Sequence, residues 1–174
     1  MDLVKAARKG EEAAFLQLFD EHHVLLFRFA YRLTGSVADA EDIVQECFLS
    51  LLRRECTYDP KRTPLRTYLF GIVRNQSLKR RRTSNFGVDA VPARSPESEI
   101  LRNETEDAVT RAVTELPETQ REVLVLAHYE QMPLGEIAQI LGLELGAAKS
   151  RLQRARASLK ETLAAYAPGM ERKR

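Results

Sequence analysis

No apolar run in this chain approaches the roughly 18 residues needed to span a bilayer. The N-terminal stretch MDLVKAARKGEEAAF also lacks the apolar core of a signal peptide. Membrane insertion and export are therefore not expected, and the chain is expected in the cytoplasm. Cysteine is scarce, with only Cys47 and Cys56. If both lie on one helix, nine residues at 1.5 Å each set them roughly 13 Å apart, too far for a disulfide. Cys47 then reads as a small buried hydrophobe. The adjacent His22 and His23 point in different directions on a helix, which suits joint metal binding poorly. No phosphate-cradling glycine loop, dinucleotide fingerprint or zinc spacing is present, so neither enzymatic activity nor a cofactor is expected. A repeat of 20–50 residues and strand-like alternation are missing too.

What is present is helical periodicity over 174 residues, with 44% hydrophobic content, enough for globular cores. The net charge of +2 conceals segregation. Asp39, Glu41, Asp42 and Glu46 fall in residues 37–46, which hold no base, whereas Arg74, Lys79, Arg80, Arg81 and Arg82 fall in residues 72–83, which hold no acid. Separate acidic and basic faces imply two kinds of partner, one of them polyanionic.

Phe15, Leu18, Phe19, Leu25, Leu26, Phe29 and Leu33 keep helical spacing up to Gly35. Ser36 opens the next helix, which should run to about Arg54, with Val44, Cys47, Phe48 and Leu51 as its core stripe. Asp42, Gln45, Glu46, Leu49 and Leu52 lie off that stripe, and acids, an amide and leucines together suit a protein interface. Residues 55–64 form a polar loop. Pro64 then stands as the first residue of a helix carrying Tyr68, Leu69, Ile72, Val73 and Leu78 and ending near Arg82. That helix mixes aromatic and basic residues, a pattern suited to single-stranded nucleic acid. Asn75 is its candidate base-reading amide, and Arg74, Lys79 and Arg80 its phosphate contacts. Tyr68 and Phe70 serve either as stacking surfaces or as core.

Residues 83–96 have no periodicity and read as a flexible linker. Ser95-Pro96 reopens helix, with Ile100, Ala108, Val109, Ala112 and Val113 as its core. A break at Leu116-Pro117 precedes helix over residues 122–130. Leu134, Ile137, Ala138 and Leu141 then lead to Gly142, a left-handed helix end. After three residues a second helix carries Ala148, Leu152, Ala155 and Leu159 as its core stripe. Lys149, Ser150, Gln153 and Arg154 occupy another face, and residues 149–160 hold five bases and no acid. Short helix, tight turn, basic helix: this is a helix-turn-helix whose second helix suits a DNA major groove. The expected fold is all-α, two small helical domains joined by a flexible linker: residues 1–82, linker 83–96, and residues 97–174 containing the helix-turn-helix.

DAEDIVQECFLSLLRR (39–54), TPLRTYLFGIVRNQSLKRRR (63–82) and LPETQREVLVLAHYEQMPLGEIAQILGLELGAAKSRLQRARASL (116–159) resemble extracytoplasmic-function sigma factors of bacterial RNA polymerase, of the sigma-70 family. The resemblance covers nearly the whole chain, in order. It implies a factor that binds core polymerase, directs it to specific promoters and assists DNA melting. By resemblance, Asp42, Gln45, Glu46 and Leu52, with Leu49 beside them, grip the coiled coil of the polymerase clamp. The loop at 55–64 and the helix with Tyr68, Arg74, Asn75, Lys79 and Arg80 capture a base flipped from the −10 element. Lys149, Ser150, Gln153 and Arg154 meet the −35 duplex, with Arg151 and Arg156 on phosphates or the surface. The family also implies an anti-sigma partner. Two departures stand out: Ala147-Ala148 where Thr-Val is usual, and Pro133 where a polar cap often begins the first helix. A transcriptional regulator using the same helix-turn-helix without entering polymerase is the rival reading, and it has no use for the acidic helix.

Overall fold

A computed structural model describes residues 2–53, 56–83 and 104–166. Among the described residues there are eight α-helices and no strand: α1 (Leu3–Arg8), α2 (Glu12–Thr34), α3 (Val37–Leu52), α4 (Leu65–Thr83), α5 (Glu104–Glu115), α6 (Glu118–Leu124), α7 (Leu134–Leu141) and α8 (Leu145–Tyr166). They divide into two compact units, α1–α4 and α5–α8. The segment read from sequence as a linker beyond Thr83, the helix start at Ser95-Pro96 and Ile100 all lie outside the described residues.

Local chemistry sets the ends of the helices in the first unit. Asp2 caps α1 by accepting the Lys5 N–H at 3.2 Å. Gly35 takes the left-handed conformation (φ 73°) that ends α2, and its N–H returns to the Tyr31 carbonyl at 2.8 Å. Ser36 then accepts the Asp39 N–H at 3.2 Å and opens α3. That helix stops at Leu52, short of the expected Arg54. Cys56 lies beyond it, so the shared helix on which the roughly 13 Å separation was conditional does not occur; both cysteines are free thiols. Pro64 sits just before α4 instead of within it, its carbonyl taking the Tyr68 N–H at 3.1 Å.

The core of this unit is where α2, α3 and α4 meet. Leu26, Phe29 and Leu33 of α2, Ile43, Cys47 and Leu51 of α3, and Leu69, Phe70 and Val73 of α4 are all buried. The Phe29 and Phe70 rings lie 5.0 Å apart. Each helix turns one apolar stripe inward and leaves the rest of its circumference to solvent or partners. Helix α1 adds Val4, Ala6 and Ala7 to the buried set, and its Arg8 donates from Nε to the Leu51 carbonyl at 2.9 Å. That contact satisfies one of the carbonyls left open at the end of α3.

In the second unit Ala112 and Val113 of α5 are buried as expected, while Ala108 and Val109 are half-buried. Arg121 reaches back across the Pro117 break to the Leu116 carbonyl at 3.0 Å and to the carbonyl of Thr114. Helix α6 begins at Glu118, earlier than the periodicity indicated, and runs into a π-helical turn at Val125–Tyr129. The Glu130 N–H bonds the Val125 carbonyl at 3.1 Å, five residues back. Gly142 (φ 64°) ends α7, and the Leu143 N–H closes onto the Ala138 carbonyl at 2.8 Å. Ala148, Leu152 and Ala155 anchor α8, with Leu159 half-buried at the end of the stripe.

Candidate nucleic-acid and docking interfaces

The outer face of α3 is built by contrast with its inner one. Ala40, Ile43, Val44, Cys47, Phe48 and Leu51 are buried, which forces Asp42, Gln45, Glu46, Leu49 and Leu52 onto the remaining surface. Asp42, Gln45 and Leu49 are exposed, Leu49 at 47%, while Glu46 and Leu52 are half-buried. Glu46 pairs with Arg53 at 2.8 Å. Carboxylates beside an exposed leucine give a face that a partner with both cations and apolar side chains would match.

Asp42 has a second attachment that the sequence did not disclose. Arg80 of α4 places Nη1 2.7 Å from Asp39 Oδ1, and both of its Nη atoms 3.3 Å from Asp42 Oδ2. The hydrogen bond to Asp39 leads the causes that raise the pKa of Arg80, so the guanidinium is held charged. The structure thus ties a residue read as a phosphate contact to the acidic helix.

On α4, Tyr68, Asn75 and Lys79 share one stripe, since offsets of seven and eleven residues are close to whole turns. Asn75 and Lys79 are exposed, and Tyr68 and Arg74 are half-buried. Arg74 emerges about a third of a turn from Asn75, and Arg80 turns toward α3. Phe70 is core at 1% exposure, with the Arg66 guanidinium 5.5 Å from its ring. Tyr68 faces the residue 56–63 loop: its hydroxyl lies 3.3 Å from Cys56 Sγ and its ring 5.1 Å from that of Tyr58. Burial, then the contact with Cys56, pushes the Tyr68 hydroxyl pKa up. It is therefore a neutral donor near neutral pH. Asp59 ties the same loop, its Oδ1 accepting the Lys61 N–H at 2.9 Å. The Tyr58 and Tyr68 rings offer a stacking surface for an unpaired base, and Asn75 and Lys79 extend the stripe about 10 and 16 Å farther along α4 with an amide and a cation.

On α8, Lys149, Ser150, Gln153, Arg154 and Arg156 are exposed, and Arg151 is half-buried. Lys149, Gln153 and Arg156 fall on one stripe, and Ser150 and Arg154 on the next. Buried Ala148, Leu152 and Ala155 hold the opposite side, so the basic face points outward. Arg156 donates from Nε to Nε2 of His128 at 3.2 Å. Periodicity gave no signal for His128, because the π turn shifts the register on which such patterns depend.

Cys47 is fully buried, donates to the Leu69 carbonyl at 3.7 Å, and has its thiol pKa pushed up to about 12 by burial first and Cys56 second. His23 stacks on Phe19 at 4.5 Å and donates from Nδ1 to the Phe19 carbonyl at 2.9 Å. Burial lowers the pKa of His22. Among the described residues no group of three or more His, Cys, Asp or Glu could hold a metal ion. No described helix is long and apolar enough to cross a membrane.

Two family models match: Sigma-70 region 2 over residues 18–86 and Sigma-70, region 4 over residues 106–159. The ECF RNA polymerase sigma factor SigL of Mycobacterium tuberculosis is 32% identical over 170 residues, covering 94% of this chain and 96% of the relative. SigW of Bacillus subtilis, likewise an ECF RNA polymerase sigma factor, is 27% identical, covering 92% and 94%. Among solved structures, CnrH in complex with the cytosolic domain of CnrY is 30% identical with a TM-score of 0.72, covering 95% of this chain and 97% of that one. The sigma factor RpoE of Bartonella quintana, in complex with the anti-sigma factor NepR, is 26% identical with the same TM-score of 0.72, covering 86% and 96%.

Proposed function

We propose roles for the separate faces of a chain that belongs to the ECF sigma factors of RNA polymerase, within the sigma-70 family. It is an alternative sigma factor that directs RNA polymerase to promoters; catalysis rests with the polymerase. The region 2 match sets aside the regulator that never enters polymerase.

The outer face of α3 carries the first role. Asp42, Gln45, Glu46, Leu49 and Leu52 dock on the clamp coiled coil. The single observation supporting this is that these five side chains line the surface of a helix whose other face is wholly buried. On α4 and the loop before it, Tyr68 and Asn75 receive a base flipped from the −10 element. A pocket that holds the base offsets part of the few kcal/mol that unstacking costs. Arg74, Lys79 and Arg80 serve nearby phosphates, Arg80 only after leaving Asp39. On α8, Lys149, Ser150, Gln153 and Arg154 read base edges of the −35 element, while Arg151 and Arg156 contact phosphates. Residues 1–82 would form the first functional domain and 97–174 the second, with 83–96 joining them. The protein acts in the cytoplasm, where core polymerase is. An anti-sigma partner is expected because RpoE is solved in complex with the anti-sigma factor NepR, and CnrH in complex with the cytosolic domain of CnrY.

Titration of core polymerase with the Gln45→Ala/Glu46→Ala double variant tests the docking role. Weaker binding at unchanged helicity is expected, because neither side chain belongs to the core. Equal affinity at matched helicity would remove α3 from the interface.

A further inference from the structure

A π turn carries one residue more than an α turn, so side chains beyond it leave on bearings an α-helix would not give. At Val125–Tyr129 the turn buries Val125 and Leu126 and leaves His128 exposed. His128 meets α8 there, its Nε2 accepting from Arg156 Nε at 3.2 Å. An accepting Nε2 requires the neutral ring with its proton on Nδ1. Both side chains are exposed, so water competes for the contact and it contributes little to stability. Its effect lies in where it points the guanidinium.

Arg156 shares a stripe with Lys149, seven residues or about 10 Å farther along α8. The major groove is about 12 Å wide, and a recognition helix contacts base edges with its N-terminal residues. With Lys149 at the base edges, Arg156 reaches the groove wall, where the phosphates run. With Nε engaged by His128, both Nη groups remain for a phosphate in a forked, end-on approach. We propose that His128 is a positioning residue, holding Arg156 so that its guanidinium meets a backbone phosphate beside the upstream promoter element. The inference rests on reading Arg156 as a phosphate contact.

The test uses the full-length chain, a short random-sequence duplex and a series of salt concentrations. Arg156→Ala should lower the slope of log affinity against log salt by about 0.9, the value for one lost phosphate contact. His128→Ala should weaken binding roughly two- to twelve-fold, the cost of immobilising one long side chain on binding. Added to Arg156→Ala, it should cost almost nothing more. His128→Gln, whose amide oxygen can accept from Nε, should recover most of the loss. If Arg156→Ala weakens binding and His128→Ala does not, the positioning role is overturned and the phosphate contact stands. Equal His128→Ala losses in both backgrounds would give His128 a DNA contact of its own and likewise overturn the positioning role. Wild-type binding by Arg156→Ala would remove the phosphate contact and the inference with it.

Discussion

Arg80 lies between two carboxylates of α3, and replacing the nearer one by its amide tests whether that contact competes with DNA. The Arg80–Asp39 distance is 2.7 Å, with side chains 37% and 39% exposed. Solvent therefore screens the pair, and contacts of this kind are worth about 0.2–1 kcal/mol. To serve a single-strand phosphate, Arg80 must give up that interaction. Asp39→Asn removes the competing charge while keeping the side-chain shape. Binding of a −10 non-template oligonucleotide should then tighten by roughly 1.4- to 5-fold, the same energy expressed as affinity. Removing any acid near DNA also helps through plain Coulomb attraction, so the control is an Arg80→Ala background: the specific gain vanishes there and the general one persists. Asp39 also sits in the first turn of α3, where a carboxylate favours the helix by about 0.3–1 kcal/mol. Urea unfolding should accordingly show a modest loss of stability alongside the gain in binding. The assay is fluorescence anisotropy with holoenzyme at saturating core polymerase. An unchanged affinity, or an equal gain with and without Arg80, would refute the competition.

The basic face of α8 predicts sequence-dependent losses: Lys149→Ala or Arg154→Ala should cost about 1–3 kcal/mol on the correct upstream element and less on scrambled duplex, measured by competition binding. Equal losses on both would make it a non-specific phosphate binder. Cys47 predicts an alkaline limit. Its folded pKa, about 12, lies above the ordinary 9.0, so the folded state holds the proton longer than the unfolded one. This contribution is complete below pH 9.0 and fades as pH rises toward about 12. The loss approaches roughly 1.4 kcal/mol per pH unit within that window. Urea midpoints taken from pH 8 to pH 11 should fall more steeply for wild type than for Cys47→Ala; parallel curves would refute it.

Helix identities and core stripes were legible because periodicity and caps report on them directly. Gly35, Ser36 and Gly142 each do the local job their residue type favours. The outward placement of Lys149, Ser150, Gln153 and Arg154 followed from the alanine and leucine stripe opposite them. Phe70 could not be separated from Tyr68 by spacing, since both belong to one mixed helix. Their fates depend on Phe29, which takes the first ring, and Tyr58, which meets the second. Contacts across long sequence separations were invisible: Arg80 to Asp39, Arg8 to Leu51 and Arg156 to His128 each need two helices to be placed first. Residue type foretold that these side chains were polar, but not where they would be spent.

The packing of α1 on α2 and α3 bears on where the first unit can be cut. The region 2 match begins at residue 18, yet Val4, Ala6, Ala7 and Ala14 are buried upstream of it. A fragment trimmed to the matched span would bare the surfaces of α2 and α3 that α1 covers. It would also leave the Leu51 carbonyl without Arg8, at the end of the helix whose outer side chains are proposed to meet polymerase. The smallest workable fragment therefore starts at α1, and a label or fusion meant to spare docking belongs away from that helix.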